Sequence, residues 1–195
     1  MDQAEKIRTF ISVEVGAEVL WVLRKFQRDL EELISKDAIR WVVPEQMHLT
    51  LRFLGGIGAD TLAPLEAALR EICASSPGFR LRAAGLGGFP SLRSPRVIWV
   101  GLQGDLPVLQ ILQTRIEEAT RHWGQPPEAR DFRPHLTLGR VRETATSQSR
   151  RIGETLQTVT VPDFGEWPVN EIRLMRSKLS PKGAQHSVLA SIPLS

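Results

Sequence analysis

The chain has 195 residues, 42% of them hydrophobic and 24% charged, with one cysteine and a formal net charge of +3. That length and balance fit one globular unit with a sizeable core, and they argue against disordered, fibrous and disulfide-framed chains. No apolar run approaches a membrane span, and the polar opening through Lys6 leads into a strand-like run without the apolar stretch of a signal peptide, so a cytoplasmic setting is expected.

Residues 7–15 alternate, with Ile7, Ile11, Val13 and Val15 on one face, and predict a half-buried strand. The period changes over 17–35, where Val19, Leu20, Leu23, Phe26, Leu30, Leu33 and Ile34 make a helical stripe with charges opposite. Strand character returns over 39–43 and 47–54, on either side of the turn-like Pro44-Glu45-Gln46. A second helix is expected over 61–75, with Leu62, Leu65, Leu69 and Ile72 on one face and Pro64 in its first turn. Cys73 falls on that stripe, where a buried structural thiol is expected.

Strands over 79–89 and 96–102 flank a loop at 90–95. Asp105 is placed to cap a third helix reaching to Trp123, with Leu109, Leu112, Ile116 and Ala119 inward, and Gln125-Pro126-Pro127 breaks it. A strand over 134–142, a weaker helix over 146–158 and strands over 168–179 and 184–193 follow. Strands that come in adjacent pairs favour an α+β fold with mostly antiparallel sheets over a parallel one. No linker rich in Pro, Gly or Ser divides the chain, so residues 1–195 are expected to form one domain.

His48-Leu49-Thr50-Leu51 recurs as His135-Leu136-Thr137-Leu138, displaced by 87 residues (135 less 48). Each copy sits in a predicted strand that follows a helix and a proline-containing turn. Such a duplication implies two lobes related by a pseudo-twofold axis, helices outside, with the motif strands side by side at a cleft. Alternation puts Leu49, Leu51 and Phe53 on one face and His48, Thr50 and Arg52 on the other. In the second copy His135 and Thr137 share the face opposite Leu136 and Leu138.

Two opposed imidazoles suit phosphodiester chemistry. Histidine titrates near neutrality, so one ring can take a proton from water while its partner gives one to a departing ribose oxygen. Threonine hydroxyls can donate to the non-bridging phosphate oxygens, where charge accumulates. Repeat architecture alone explains duplicated leucines but gives no reason to keep a His–Thr pair on one face. His122 and His186 lie outside the repeat, and neither is expected to act. Arg130, Arg133, Arg140, Arg142, Arg150 and Arg151 form a basic cluster that suits a polyanion or, on charge alone, a solvated surface. No His-x-His, Cys-x-x-Cys or His-x-x-x-His spacing exists, so a dedicated metal site is not expected.

The paired motif resembles the His-x-Thr/Ser-x signature of the 2H phosphoesterase superfamily. Its surroundings are similar to the RNA 2′,3′-cyclic phosphodiesterase branch, also called bacterial and archaeal 2′-5′ RNA ligases. The likeness rests on segments 8–13, 47–55, 133–140 and 171–179 and runs in order along nearly the whole chain. It implies a bilobal fold and metal-independent hydrolysis of RNA 2′,3′-cyclic phosphate ends to 2′-phosphomonoesters without a cofactor, with 2′-5′ ligation as the reverse reaction. It further implies His48 as acid on the 3′ oxygen, His135 as base for water, and Arg140 as a phosphate contact. Simple alternation turns Arg140 away from His135, so a bulge at Gly139 is required to aim it. Arg52 has the right parity without help and is a second candidate for the phosphate. Phe10 and Phe53 are candidates for holding a base or for core packing. The expected partner is an RNA or nucleotide with a cyclic phosphate end, with no membrane and no protein partner, and the chain is expected to be a monomer. Two competing functions are an RNA-end-binding protein and a phosphodiesterase for a small cyclic nucleotide.

Overall fold

Nine strands and four helices form among the described residues, which are 6–35, 37–126, 131–180 and 183–195 of a computed structural model. In chain order they are β1 (Ile7–Glu14), α1 (Ala17–Leu33), β2 (Ile39–Trp41), β3 (His48–Ile57), α2 (Leu62–Cys73), β4 (Phe79–Phe89) and β5 (Val97–Gly104). Then follow α3 (Leu106–Thr120), β6 (His135–Val141), α4 (Ser149–Thr158), β7 (Glu166–Val169), β8 (Glu171–Ser180) and β9 (Gly183–Pro193). Pro127 and Arg130, named above as helix breaker and basic-cluster member, lie outside the described residues.

Each expected element forms, with corrections at particular residues. The strand expected over 168–179 is two, β7 and β8, parted at Asn170. Leu33 closes the α1 stripe in sequence but is 58% exposed, because the chain turns away at Ile34 into extended backbone. Asp105 occupies the cap position of α3, yet its carboxylate accepts from the Arg80 N–H of β4 rather than from the helix.

All registered strand pairs are antiparallel, in the order β7-β4-β5-β6-β3-β1-β8-β9, with β2 also beside β6. The same 87-residue shift that relates the motifs carries α1 onto α3, β3 onto β6 and α2 onto α4. It also carries Ile11 onto Ile98, which face Arg52 and Gly139 in equivalent registers. The strand that ends each half then crosses over: β4 pairs with β5 of the second half, and β8 pairs with β1 of the first. The spatial lobes therefore do not coincide with the sequence halves.

Apolar faces of α1 (Val19, Leu23, Phe26, Leu30) and α3 (Leu109, Leu112, Ile116) recur at helical spacing and join one core cluster with the inward strand residues. Each such leucine contributes about 1.5–3 kcal/mol by burial. The helices occupy one face of the curled sheet, and the other face is left open at its centre. No helix among the described residues is long and apolar enough to cross a membrane.

Candidate active site

The two motif strands meet at a single registered pair, Leu49 opposite Leu136, after which β2 replaces β3 along Gly139–Val141. Both leucines are buried, at 1% and 0% exposure, so they fix which face of each strand is core. Extending the antiparallel register by one residue sets His48 against Thr137 and Thr50 against His135, all on the opposite face. Those four side chains line one cleft of about 730 Å³. Arginines, Arg140 among them, also line it, and among the described residues no carboxylate does.

A bulge aims Arg140. Between β5 and β6, Ile98 faces Gly139 and Trp99 faces Thr137, which leaves Leu138 without a partner. The extra residue reverses the alternation, so Arg140 returns to the face of His135. Gly139 is required there, since a Cβ would lie 2.7 Å from Ile39 Cγ2 and 2.9 Å from Trp41 Cε3.

An equivalent bulge corrects the assignment of Arg52. Ile11 faces Arg52 and Ser12 faces Thr50, which leaves Leu51 without a partner, and 51 and 138 again differ by 87. Arg52 is thereby turned off the cleft. It is 4% exposed, and its Nη2 donates to the Gln125 carbonyl at 2.7 Å, holding the segment that follows α3 against the back of β3. Gly124 makes the same contact close, with φ of +68° and the Leu54 carbonyl only 2.1 Å from where a Cβ would stand. Phe53, at the place equivalent to Arg140, lines the cleft instead, with the Arg8 guanidinium 4.5 Å from its ring centroid.

Buried glutamines from the helices meet backbone carbonyls at and beside the bulges. Gln27 of α1 donates to the Leu138 carbonyl at 3.1 Å and to that of Val42 at 2.8 Å. Gln113 of α3 reaches the Leu51 carbonyl at 3.5 Å. The Leu138 carbonyl also accepts from the Val42 N–H at 2.8 Å. A buried side-chain amide without a partner costs about 1–3 kcal/mol, and these carbonyls let both glutamines sit among apolar neighbours. Reading the sequence for chemistry missed them; their signal is a polar residue inside a helical apolar stripe.

Each motif histidine is held the same way. His48 Nδ1 lies 2.7 Å from the Gln46 carbonyl, and His135 Nδ1 lies 2.6 Å from that of Arg133. A carbonyl only accepts, so Nδ1 must carry the proton, and in the neutral ring Nε2 holds the basic lone pair. Phe10 stacks on His48 at 4.7 Å, while Phe89 stands edge-on to His135 at 5.0 Å. Phe10 is thus a site residue, holding the imidazole itself.

His186, set aside on sequence grounds, lines the cleft and stands edge-on to His48, with centroids 5.2 Å apart. Nothing near it in sequence announces this, because the β8–β9 hairpin that carries it reaches the site only through β1. Burial pushes the His48 imidazole down to about 4, opposed by the Gln46 hydrogen bond and reinforced by the nearby His186. Burial lowers His186 as well. His122 is exposed beside Trp123 and away from the cleft. Cys73 is buried, and burial pushes its thiol up to about 11, as suits a structural residue. Among the described residues no three His, Cys, Asp or Glu side chains converge as a metal site would require.

Known proteins are similar to this chain along nearly its whole length. The family described as LigT-like phosphoesterase matches residues 14–99 and 103–184, one segment for each half. The chain is 31% identical to the RNA 2′,3′-cyclic phosphodiesterase of Archaeoglobus fulgidus, over 91% of this chain and 94% of that protein. It is 34% identical to the protein of that name from Methanothermobacter thermautotrophicus, with the same two coverages, 91% and 94%. Among solved structures, a Thermus thermophilus protein superposes with a TM-score of 0.76 at 28% identity, covering 96% of this chain and 98% of that one. E. coli LigT solved with 3′-AMP gives a TM-score of 0.71 at 25% identity, covering 98% and 99%. With both halves matched and relatives aligned along nearly its whole length, the chain belongs to the LigT-like phosphoesterase family of the 2H superfamily.

Proposed function

We propose that this chain hydrolyses 2′,3′-cyclic phosphate ends of RNA to 2′-phosphomonoesters, using His48 and His135 as its acid and base. The observation that carries this reading is the paired presentation of two imidazoles, each tied through Nδ1–H to a carbonyl, over one cleft lined by Thr50, Thr137 and Arg140. The names of the relatives and the 3′-AMP complex of E. coli LigT support a nucleotide ester as the substrate.

His135 Nε2 takes a proton from water as the water oxygen attacks phosphorus. The P–O3′ bond breaks, and His48 Nε2 delivers a proton to the departing O3′, which leaves the phosphate on O2′. Thr50 and Thr137 hydroxyls and the Arg140 guanidinium donate to the non-bridging oxygens, where negative charge grows. In the free protein burial keeps His48 neutral at neutral pH, so its proton arrives together with the anionic substrate. Protons and charge are both handled by side chains, so the reaction as proposed needs no metal or nucleotide cofactor. A 5′-hydroxyl in place of water would form a 2′–5′ linkage by the same route. One chain supplies both halves of the site, which supports a monomeric enzyme.

The test is incubation of an oligoribonucleotide with a 2′,3′-cyclic end in EDTA. Release of the 2′-phosphate is expected. A 3′-phosphate product would overturn the bond assignment, and activity restored only by added metal would overturn the mechanism.

A further inference from the structure

The cleft does not end at the paired histidines. Along β6 the residues on its open face after the bulge are Arg140 and, by alternation through extended backbone at φ −68° and ψ 149°, Arg142. Directly opposite Arg140 in the β2–β6 ladder stands Arg40, which also lines the cleft, and the Arg142 N–H is anchored to the Ala38 carbonyl at 2.9 Å. Arg40, Arg140 and Arg142 are all exposed, and among the described residues none of them is in an ion pair. Like charges directly opposite one another across a ladder are destabilising, and nothing in the surrounding core requires these two. An anion between them removes the repulsion.

Distance decides which anion. Arg142 lies seven residues from His135 along the strand, on the order of 20 Å at about 3.3 Å per residue. A phosphate seated between the two histidines is beyond the reach of that side chain, so whatever Arg142 meets belongs to another nucleotide. Resting on the function proposed above, we propose that Arg142 holds a backbone phosphate on the 5′ side of the cyclic end. The protein thereby prefers a polynucleotide end to a mononucleotide. Phosphate contacts of this kind carry no sequence information and depend strongly on salt.

The test compares binding of adenosine 2′-monophosphate with binding of a labelled single-stranded oligoribonucleotide ending in a 2′-phosphate. It uses the wild type and the Arg142→Ala variant between about 50 and 200 mM salt. The wild type is expected to bind the oligonucleotide more tightly, with an advantage that shrinks as salt rises. The variant is expected to lose most of that advantage and to bind the mononucleotide as before. Its log–log salt slope should be smaller by about 0.7, the share of one single-strand phosphate contact. Equal loss for both ligands would assign Arg142 to the terminal phosphate and overturn the proposal, as would an unchanged oligonucleotide slope. Binding is read without turnover, so a protein that binds as described but hydrolyses nothing would refute the proposed reaction and leave this surface standing.

Discussion

Leu51 and Leu138 hold the same place in two strands: each is the residue its neighbouring strand leaves unpaired, and each turns the residue two positions on into the cleft. What they present differs, Phe53 in one strand and Arg140 in the other. A duplicated scaffold thus offers a ring at one side of the cleft and a cation at the other.

That asymmetry separates Arg52 from Arg140. Arg140→Ala should lower kcat/KM on a cyclic nucleotide at least tenfold while leaving the unfolding midpoint near its wild-type value. Arg52→Ala should do the opposite, costing roughly 2–4 kcal/mol of stability through the lost packing and the orphaned Gln125 carbonyl. Denaturation and steady-state kinetics on the two variants check this; a stable, inactive Arg52→Ala would return Arg52 to the phosphate.

Gln27 should act on Arg140 through the Leu138 carbonyl. Gln27→Leu is expected to weaken phosphate binding, and its effect should be non-additive with Arg140→Ala in a double-mutant cycle. Additive effects would make Gln27 a matter of stability alone.

His48→Ala and His135→Ala should each lower kcat on a 2′,3′-cyclic nucleotide by about 10²–10⁴, the usual contribution of a positioned acid or base. His122→Ala should be neutral. His186→Ala should fall between, because its ring confines His48, and the signature is a shifted pH profile rather than lost turnover. Equal losses for all four histidines would remove the special standing of the pair.

Burial of His48 makes two pH effects calculable. Its folded value of about 4 lies below the ordinary 6.5, so the unfolded chain binds the proton more readily. That contribution to stability is complete above 6.5 and is lost as pH falls toward 4, by up to about 3 kcal/mol. His186 shifts in the same direction. Wild-type stability should therefore fall more steeply between about pH 6.5 and 4.5 than that of His48→Asn. At pH 7, binding of adenosine 2′-monophosphate should take up as much as about one proton, seen as a calorimetric heat that varies with the buffer. A heat independent of buffer would take the acid role from His48.

The exchange of β4 and β8 between halves predicts a single cooperative transition for residues 1–195, which we propose fold as one domain. Two separated calorimetric peaks would contradict it.

Local patterns were enough to read off the elements, the duplication and the pairing of His48 with His135. Each of these is local: apolar period sets helix or strand, and an identical tetrapeptide places His and Thr on one face wherever the strand goes. Alternation alone misplaced Arg52, since a bulge is an insertion relative to the neighbouring strand, and that neighbour is known only once the chain has folded. The bulge needed for Arg140 could be named from Gly139 but not located without Ile98 and Trp99 across the ladder. His186, Gln27 and Gln113 were illegible for the same reason: each acts on a residue far along the chain, through contacts that packing creates. Tertiary structure decided which way the side chains beyond the motif point, and how much water each histidine keeps.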